Sequence, residues 1–291
     1  MKLLVGTTRR PASTLYDQVA ECSAAAVIRH YSSSFGLASL LLAEPVRTHI
    51  RNCYALVRIA DEIVDNPEPG LGREPRARML AWLHEDVRHA LQTGHSANLV
   101  VHAFARTAIA CSIDEELIDP FFASMGMDLE PTVHTRESFD RYVYGSAEVV
   151  GLMCLRVFLA GAGADDYDRL APGARRLGAA FQKVNFLRDL AEDHDTLSRC
   201  YFPGIDVDRL SDADRDRILD DIAGDLDAAA AVIPELPASC RRAVRTAHAT
   251  FAELATRLRN TPATRIRHSR VRVPTPRKLR LAAGTFYGGR S

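Results

Sequence analysis

The chain is poor in the features that mark most other protein classes. It has one Trp in 291 residues, and only 7% of it is aromatic. No Cys-x-x-Cys pair occurs, and the six cysteines, at 22, 53, 111, 154, 200 and 240, are scattered. That excludes a disulfide framework and a zinc pattern, and predicts reduced, mostly buried thiols in a cytoplasmic protein. Net charge is missing too, with 37 Lys+Arg against 37 Asp+Glu, so no global field draws the chain to nucleic acid or to an anionic membrane. The longest apolar run, Val149 to Ala164, is broken by Arg156 and is shorter than the roughly 20 residues of a membrane span. Met1-Lys-Leu-Leu-Val-Gly turns polar at Thr7, too soon for the apolar core of a signal peptide, so export is not expected. The ten histidines show no His-Glu-x-x-His or other zinc spacing, so His84, His89 and His102 read as surface or helix-packing residues.

Strand signals are equally scarce: alternating Val/Ile/Thr runs are few and no Asn-Gly turn appears. What is present is a 47% hydrophobic chain whose apolar residues recur at three and four positions almost throughout. This predicts an all-α fold with a sizeable core. Pro45, the loop at 66–70, Gly94, Pro120, Pro131, Gly161 to Gly163, Pro172-Gly173, Pro203-Gly204, Pro234, Pro237, Pro262 and Pro274 mark breaks, leaving about ten helices. No Gly/Ser or Pro-rich linker separates them, and a single domain over 1–291 is expected. Trp82 and Leu83 are expected in its core.

Two segments carry chemistry. In Tyr54–Asp65, Val57, Ala60 and Val64 form the apolar rows of a helix, while Asp61 and Asp65, four apart, share a face with Arg58. Alone, Asp-x-x-x-Asp also suits a solvated helix end. In 181–195, Gln182, Asn185, Asp189 and Asp193 follow at intervals of three, four and four, a polar stripe on a helix whose other faces hold Phe181, Val184, Leu187 and Leu190. Such a stripe needs buried partners. Two Asp-x-x-x-Asp helices facing one another would offer four hard oxygen ligands to Mg²⁺, which prefers carboxylates with phosphate oxygens and water. That constellation suits the binding and ionisation of a diphosphate ester.

The two motifs, their order and their separation resemble the squalene/phytoene synthase family. Further segments carry the likeness: Tyr31-Ser32-Ser33-Ser34-Phe35, Tyr142-Val-Tyr144-Gly145-Ser-Ala-Glu148, Arg199-Cys-Tyr201-Phe202-Pro203, and Arg270-Val-Arg272-Val-Pro274 with Lys278. The resemblance implies an isoprenoid-synthase helical fold around a central cavity, and a prenyltransferase releasing pyrophosphate. It implies two or three Mg²⁺ ions held by Asp61, Asp65, Asp189 and Asp193, with Asn185 as a further ligand. Arg58 and Arg188 would steady the departing pyrophosphate, and Tyr142 and Tyr144 would flank the allylic cation. Ser32, Ser34, Phe35, Gln182, Arg199, Tyr201 and Phe251 would contact substrate, with Arg270 and Lys278 closing over the diphosphate. Phe35, Leu152 and Phe186 would line the cavity.

Three positions depart from the family pattern. Ser33 stands where a basic residue is common, and Phe251 where a Tyr is common in the helix that closes the cavity. Glu148 places a carboxylate in the Tyr-x-Tyr-Gly helix, either to act as a base or orient an acceptor N–H or O–H, or simply to support an arginine. The departures fall on the half of the reaction that handles the second substrate, and point to an acceptor without a diphosphate, such as a small carbazole-type aromatic. Head-to-head condensation of two prenyl diphosphates to a phytoene- or squalene-type product is the alternative, and a terpene cyclase a further one. Neither aspartate motif is broken, which argues against a scaffold that has lost catalysis. The basic run from Arg265 to Arg280 has no interleaved aromatics, so nucleic acid is not an expected partner, and membrane contact is at most peripheral.

Overall fold

The computed structural model describes residues 13–32, 34–65, 71–130, 133–161, 163–197 and 199–287. Thirteen α-helices lie in them: α1 (Leu15–Tyr31), α2 (Ser34–Ser39), α3 (Val46–Asp65), α4 (Arg73–Thr93), α5 (Leu99–Cys111), α6 (Glu115–Met127), α7 (Arg136–Val143), α8 (Val149–Phe158), α9 (Ala164–Leu197), α10 (Asp212–Val232), α11 (Ala238–Arg259), α12 (Ala263–Ile266) and α13 (Thr275–Tyr287). A π-helical turn, Tyr144–Glu148, joins α7 to α8. Among the described residues the one extended pairing is an isolated bridge between Val133 and Cys200, so the all-α expectation holds. None of these helices is long and apolar enough to cross a membrane.

The helix starts are written locally. Thr14 and Asp17 form a capping box for α1, as Ser211 and Asp214 do for α10, while Asn98, Asp114 and Thr135 cap α5, α6 and α7. Gly94 ends α4 in the left-handed conformation. Two expected breaks are absent: Pro120 lies inside α6 and Pro172 inside α9. An interior proline removes one backbone hydrogen bond and bends the helix. Both helices are packed along most of their length, with Phe121 and Ile118 beside Pro120 and Leu170 and Gly173 beside Pro172 all buried, and that packing outweighs the lost bond.

Three apolar clusters surround α9. One joins its second half to α7, α10, α11 and the 199–210 loop; another is built from α3 to α6 and α8; the third links Leu155 and Leu170 to Leu236, Cys240 and Val244. Leu83 is buried as expected, whereas Trp82 is 69% exposed. The periodicity explains the difference: Leu80, Leu83 and Val87 are the inward row of α4, and Trp82 stands off it. The remote end is fixed by charge: Asp17, buried under α5, meets His102 Nε2 at 2.8 Å and Arg106 at 3.2 Å. Burial works against its charge, but the bonds from His102 and Thr14 prevail and hold its pKa down to about 2.

α8 and the π-turn press against α9 at glycines. A Cβ on Gly151 would stand 2.4 Å from the Ala174 carbonyl oxygen, and one on Gly178 2.4 Å from that of Ala147. Both obstacles are backbone, so neither can swing aside. Gly178→Ala is expected to destabilise the protein by about 1–3 kcal/mol in urea unfolding, with the wild-type value retained if the two helices are free to separate.

Candidate active site

A cavity of about 610 Å³ lies between α2, α3, α8, α9 and α11. Its two ends differ chemically. Asp61 and Asp65 from α3 and Asn185, Asp189 and Asp193 from α9 line one end, so the two aspartate helices do face one another. The remainder is walled by Leu42, Ile50, Leu155, Phe158, Val232 and Leu236 among others, side chains that hold no charge.

The carboxylates are held by guanidinium groups. Arg199, 7% exposed, donates to Asp65 at 2.6 Å, to the carbonyls of Val64 (3.1 Å) and Asp128 (2.8 Å), and approaches Asp128 Oδ1 at 3.7 Å. Arg188 donates to its neighbour Asp189 at 2.8 Å, and Arg270 reaches Asp189 at 2.7 Å from the C-terminal segment. Arg58 pairs with Glu62, lies 4.0 Å from Asp61, and stacks 4.5 Å from the Tyr31 ring centre. Lys278 does not line the cavity, but burial and the nearby Arg188 and Arg272 push its pKa down. The rim above Asp189 is therefore strongly cationic.

Two carboxylates remain under-compensated. Desolvation, then repulsion from Asp65, outweighs Arg58 and raises the pKa of Asp61 to about 8; its 32% open surface faces the cavity. Desolvation and Asp189 raise Asp193 to about 8 as well. Asn185 adds a buried Oδ1 with no hydrogen-bond partner among the described residues. Among those residues no group of three or more His, Cys, Asp or Glu side chains is disposed to hold a metal by itself. Crowded carboxylates on two walls and an orphaned amide oxygen nevertheless suit a divalent cation that takes oxygen ligands from both sides.

An aromatic wall stands beside this end. Tyr142, 2% exposed, Tyr201 and Phe186 all line the cavity; Tyr201 stacks on Phe186 at 3.9 Å and on Tyr142 at 5.2 Å. Further in, Phe35, Phe181 and Phe251 form a second cluster, with Phe181 and Phe251 stacked at 3.9 Å. Ser32 lies at the same wall and accepts from the Phe35 N–H at 3.0 Å. Gln182 donates to the buried Ser146 hydroxyl at 3.4 Å.

Four positions expected at the cavity lie elsewhere. Tyr144 is two residues beyond Tyr142, hence on the opposite side of the helix. It packs in the α3 to α8 cluster with Arg175 over its ring at 5.2 Å. Glu148, one turn on, takes the same outward direction and accepts from Arg175 at 2.6 Å, leaving it no role toward an acceptor. Leu152 is buried behind the wall, which is formed by Val150 and Gly151 instead. Lys278 belongs to the rim, as described. Ser33 and the side chain of Ser34 lie outside the described residues.

Asp128 escaped the sequence reasoning. It lines the cavity and accepts from Tyr142 (2.6 Å) and Tyr201 (3.2 Å). A lone Asp after the apolar stretch of α6 has no partner at three or four positions to reveal it. Burial lifts its pKa to about 6 in spite of Arg199 and Tyr142.

Arg199→Met should cost about 3–5 kcal/mol in denaturant unfolding, because it strands the buried Asp128 charge. The raised aspartates set a pH dependence. A folded pKa near 8 against roughly 3.9 in the unfolded chain means the folded state keeps protons that the unfolded chain has lost. The contribution of these groups to stability is greatest below about pH 4 and declines as pH rises toward 8. In metal-free buffer Asp61→Asn should therefore raise the melting temperature by about 2–4 °C at pH 8 and leave it unchanged near pH 4.

Residues 28–277 match the family described as squalene/phytoene synthase. A phytoene synthase from Pseudescherichia vulneris is 28% identical over 244 residues, 77% of each chain. A bifunctional lycopene cyclase/phytoene synthase from Blakeslea trispora is 28% identical over 196 residues, 61% of this chain, and the match spans 31% of that longer protein. In structure, a ligand-bound dehydrosqualene synthase superposes with a TM-score of 0.78 at 19% identity, covering 94% of this chain and 97% of that one. A squalene synthase from Alicyclobacillus acidocaldarius gives 0.72 at 19% identity, covering 85% and 95%. These two likenesses show the shared helical fold. With the match over 28–277, the chain belongs to the squalene/phytoene synthase family, whose members are prenyltransferases that ionise prenyl diphosphates with a divalent metal.

Proposed function

We propose that this chain, acting as one domain, joins two prenyl diphosphates head to head to give a phytoene- or squalene-type product. The observation that carries this reading is the cavity itself, charged at one end and apolar over the rest of its length. The expectation of a carbazole-type aromatic acceptor is not supported. Glu148, the group available to orient such an acceptor, is turned away and paired with Arg175. Phe251, in place of a phenol, stacks on Phe181 and extends the apolar wall that a second hydrocarbon chain needs. The curated relatives reported above are phytoene synthases, in agreement.

Asp61, Asp65, Asp189, Asp193 and the free oxygen of Asn185 are the groups to hold two or three Mg²⁺ ions. Bound there, the metal would neutralise the diphosphate and make pyrophosphate a good leaving group. Arg188 and Arg270, now spent on Asp189, are placed to turn to the diphosphate, and Arg58 approaches from α3. The donor C–O bond breaks with its electron pair leaving on pyrophosphate. The aromatic wall of Tyr142, Phe186 and Tyr201 stabilises the resulting allylic cation through its π-faces. Phe35, Phe181 and Phe251 keep water from the cation until the double bond of the second substrate attacks it. Loss of a proton, departure of the second diphosphate and loss of a second proton then complete a phytoene-type hydrocarbon, whereas a squalene-type one takes a hydride from a separate donor in place of the last step. No member of this set needs a charged group deep in the cavity, and none is found there among the described residues.

Incubation with Mg²⁺ and geranyl, farnesyl or geranylgeranyl diphosphate alone should yield a hydrocarbon of twice the donor length, with pyrophosphate. Product formed only when an aromatic acceptor is added would overturn this reading. Asp61→Ala and Asp189→Ala should each reduce pyrophosphate release by about a hundredfold or more while preserving the helical circular dichroism, as would chelation of the metal.

A further inference from the structure

The aromatic wall has a charge behind it. Asp128 ends α6 with its side chain 8% exposed, and both carboxylate oxygens are committed to phenols: Oδ2 accepts from Tyr142 at 2.6 Å and Oδ1 from Tyr201 at 3.2 Å. The rings of those two tyrosines stack on each other at 5.2 Å with an interplanar angle of 24°, and Phe186 continues the stack at 3.9 Å and 14°. All three line the cavity. Arg199, which also pairs with Asp65, lies 3.7 Å from Asp128 Oδ1 and donates to the Tyr201 hydroxyl at 3.4 Å, so that the enrichment by Asp128 falls mainly on Tyr142.

A buried carboxylate accepting two phenolic protons does two things to the rings. It fixes their planes, since each hydroxyl has one strong acceptor in a set direction. It also draws each O–H bond toward itself, leaving the oxygen and the ring face more electron-rich, and low local polarity strengthens the effect. A ring that is more electron-rich holds a cation more tightly. On the prenyl-transfer reading above, we propose that Asp128 is a positioning residue that acts through Tyr142 and Tyr201 to stabilise the allylic cation until the second substrate captures it. Asp128 itself need not touch the substrate. A carboxylate retained only to satisfy Arg199 would have no reason to be bonded to the two aromatic side chains that face the cavity.

The readout is the fate of the cation. An intact wall gives hydrocarbon, whereas a cation held less well escapes to water and leaves as prenyl alcohol, with the same pyrophosphate released in both cases. Asp128→Asn is expected to raise the ratio of alcohol to hydrocarbon by about tenfold, a part of a desolvated cation–π contribution. Asp128→Glu, which keeps the charge, should recover part of the wild-type ratio. Tyr142→Phe retains the ring and removes the hydroxyl that Asp128 holds, so it should shift the ratio in the same direction. A purely structural Asp128 would lower stability and total turnover together and leave the ratio unchanged, and that result would overturn the proposal. Should Asp128→Asn fail to fold, the ratio measured for Asp128→Glu is compared with that of Tyr142→Phe, and an unchanged ratio in Tyr142→Phe overturns the proposal by itself. Failure of the wild-type protein to release pyrophosphate from any prenyl diphosphate would count against the prenyl-transfer reading itself, whereas an unchanged ratio in an active variant counts against Asp128 only.

Discussion

Five carboxylates crowd one end of an apolar cavity, and the guanidinium of Arg199 is the charge that holds two of them, Asp65 and Asp128, in place. Asp65 and Asp128 come from the ends of α3 and α6, and Arg199 bonds the side chain or the backbone of both. It thereby ties together two helix ends that each carry a charge facing the cavity. Burial alone would lower the pKa of Arg199, but the surrounding Asp128, Tyr201 and Asp65 more than reverse it and keep the charge in place. Asp61 and Asp193 have no comparable partner, and their raised pKa values measure what remains uncompensated. The site thus stores a demand for positive charge that a divalent cation is suited to meet. A fold optimised for stability would not leave it so.

Such a site requires that α9 be rigid and correctly rotated, and its other faces provide this. Lys183 is buried on the side turned away from the cavity and bonds Asp221 at 2.5 Å and Asp225 at 2.7 Å on α10; Arg176 joins the same Asp225 at 2.8 Å. These bonds sit on a helix face distinct from that of Asn185, Asp189 and Asp193, so α9 is clamped by charge at its back while its front presents charge to the cavity. The glycine crossing against α8 and the π-turn fixes a third side. The π-turn also places Tyr142 and Ser146 on the cavity side while Tyr144 and Glu148 turn outward. A π-turn of this kind often marks a functional region in a helix.

Much of this was legible because it follows from helical period. A stripe at three, four and four in 182–193 can only be one face of one helix, and its mirror at 61 and 65 implied a facing partner. The expectation failed where period is silent. Tyr142 and Tyr144 carry the same side chain two residues apart, and a motif treats them alike although a helix separates them by about 200°. Trp82 was assigned to the core by residue type, against the phase of its own helix. Pro120 and Pro172 read as breaks by local propensity, which ignores the packing on either side. Asp128 lies at a helix end with no periodic partner, and its role depends on Tyr142, Tyr201 and Arg199, between 14 and 73 residues away along the chain. Contacts of that kind are a property of tertiary structure alone.

The acceptor half of the reaction shows the limit most clearly. Reading residue by residue, Phe251 is a missing phenol and Glu148 an added carboxylate, and both suggested a polar aromatic acceptor. In three dimensions the missing hydroxyl is a gain of apolar surface: Phe251 closes on Phe181 and Phe35 and extends the apolar lining of the cavity. The added carboxylate is outside the cavity, neutralised by an arginine that also covers Tyr144. A residue type states what chemistry is available, and the direction of its side chain states to whom. For a cavity that must exclude water from a cation, the second statement decides, because the direction of a side chain sets whether its polar group joins the apolar lining or lies outside it.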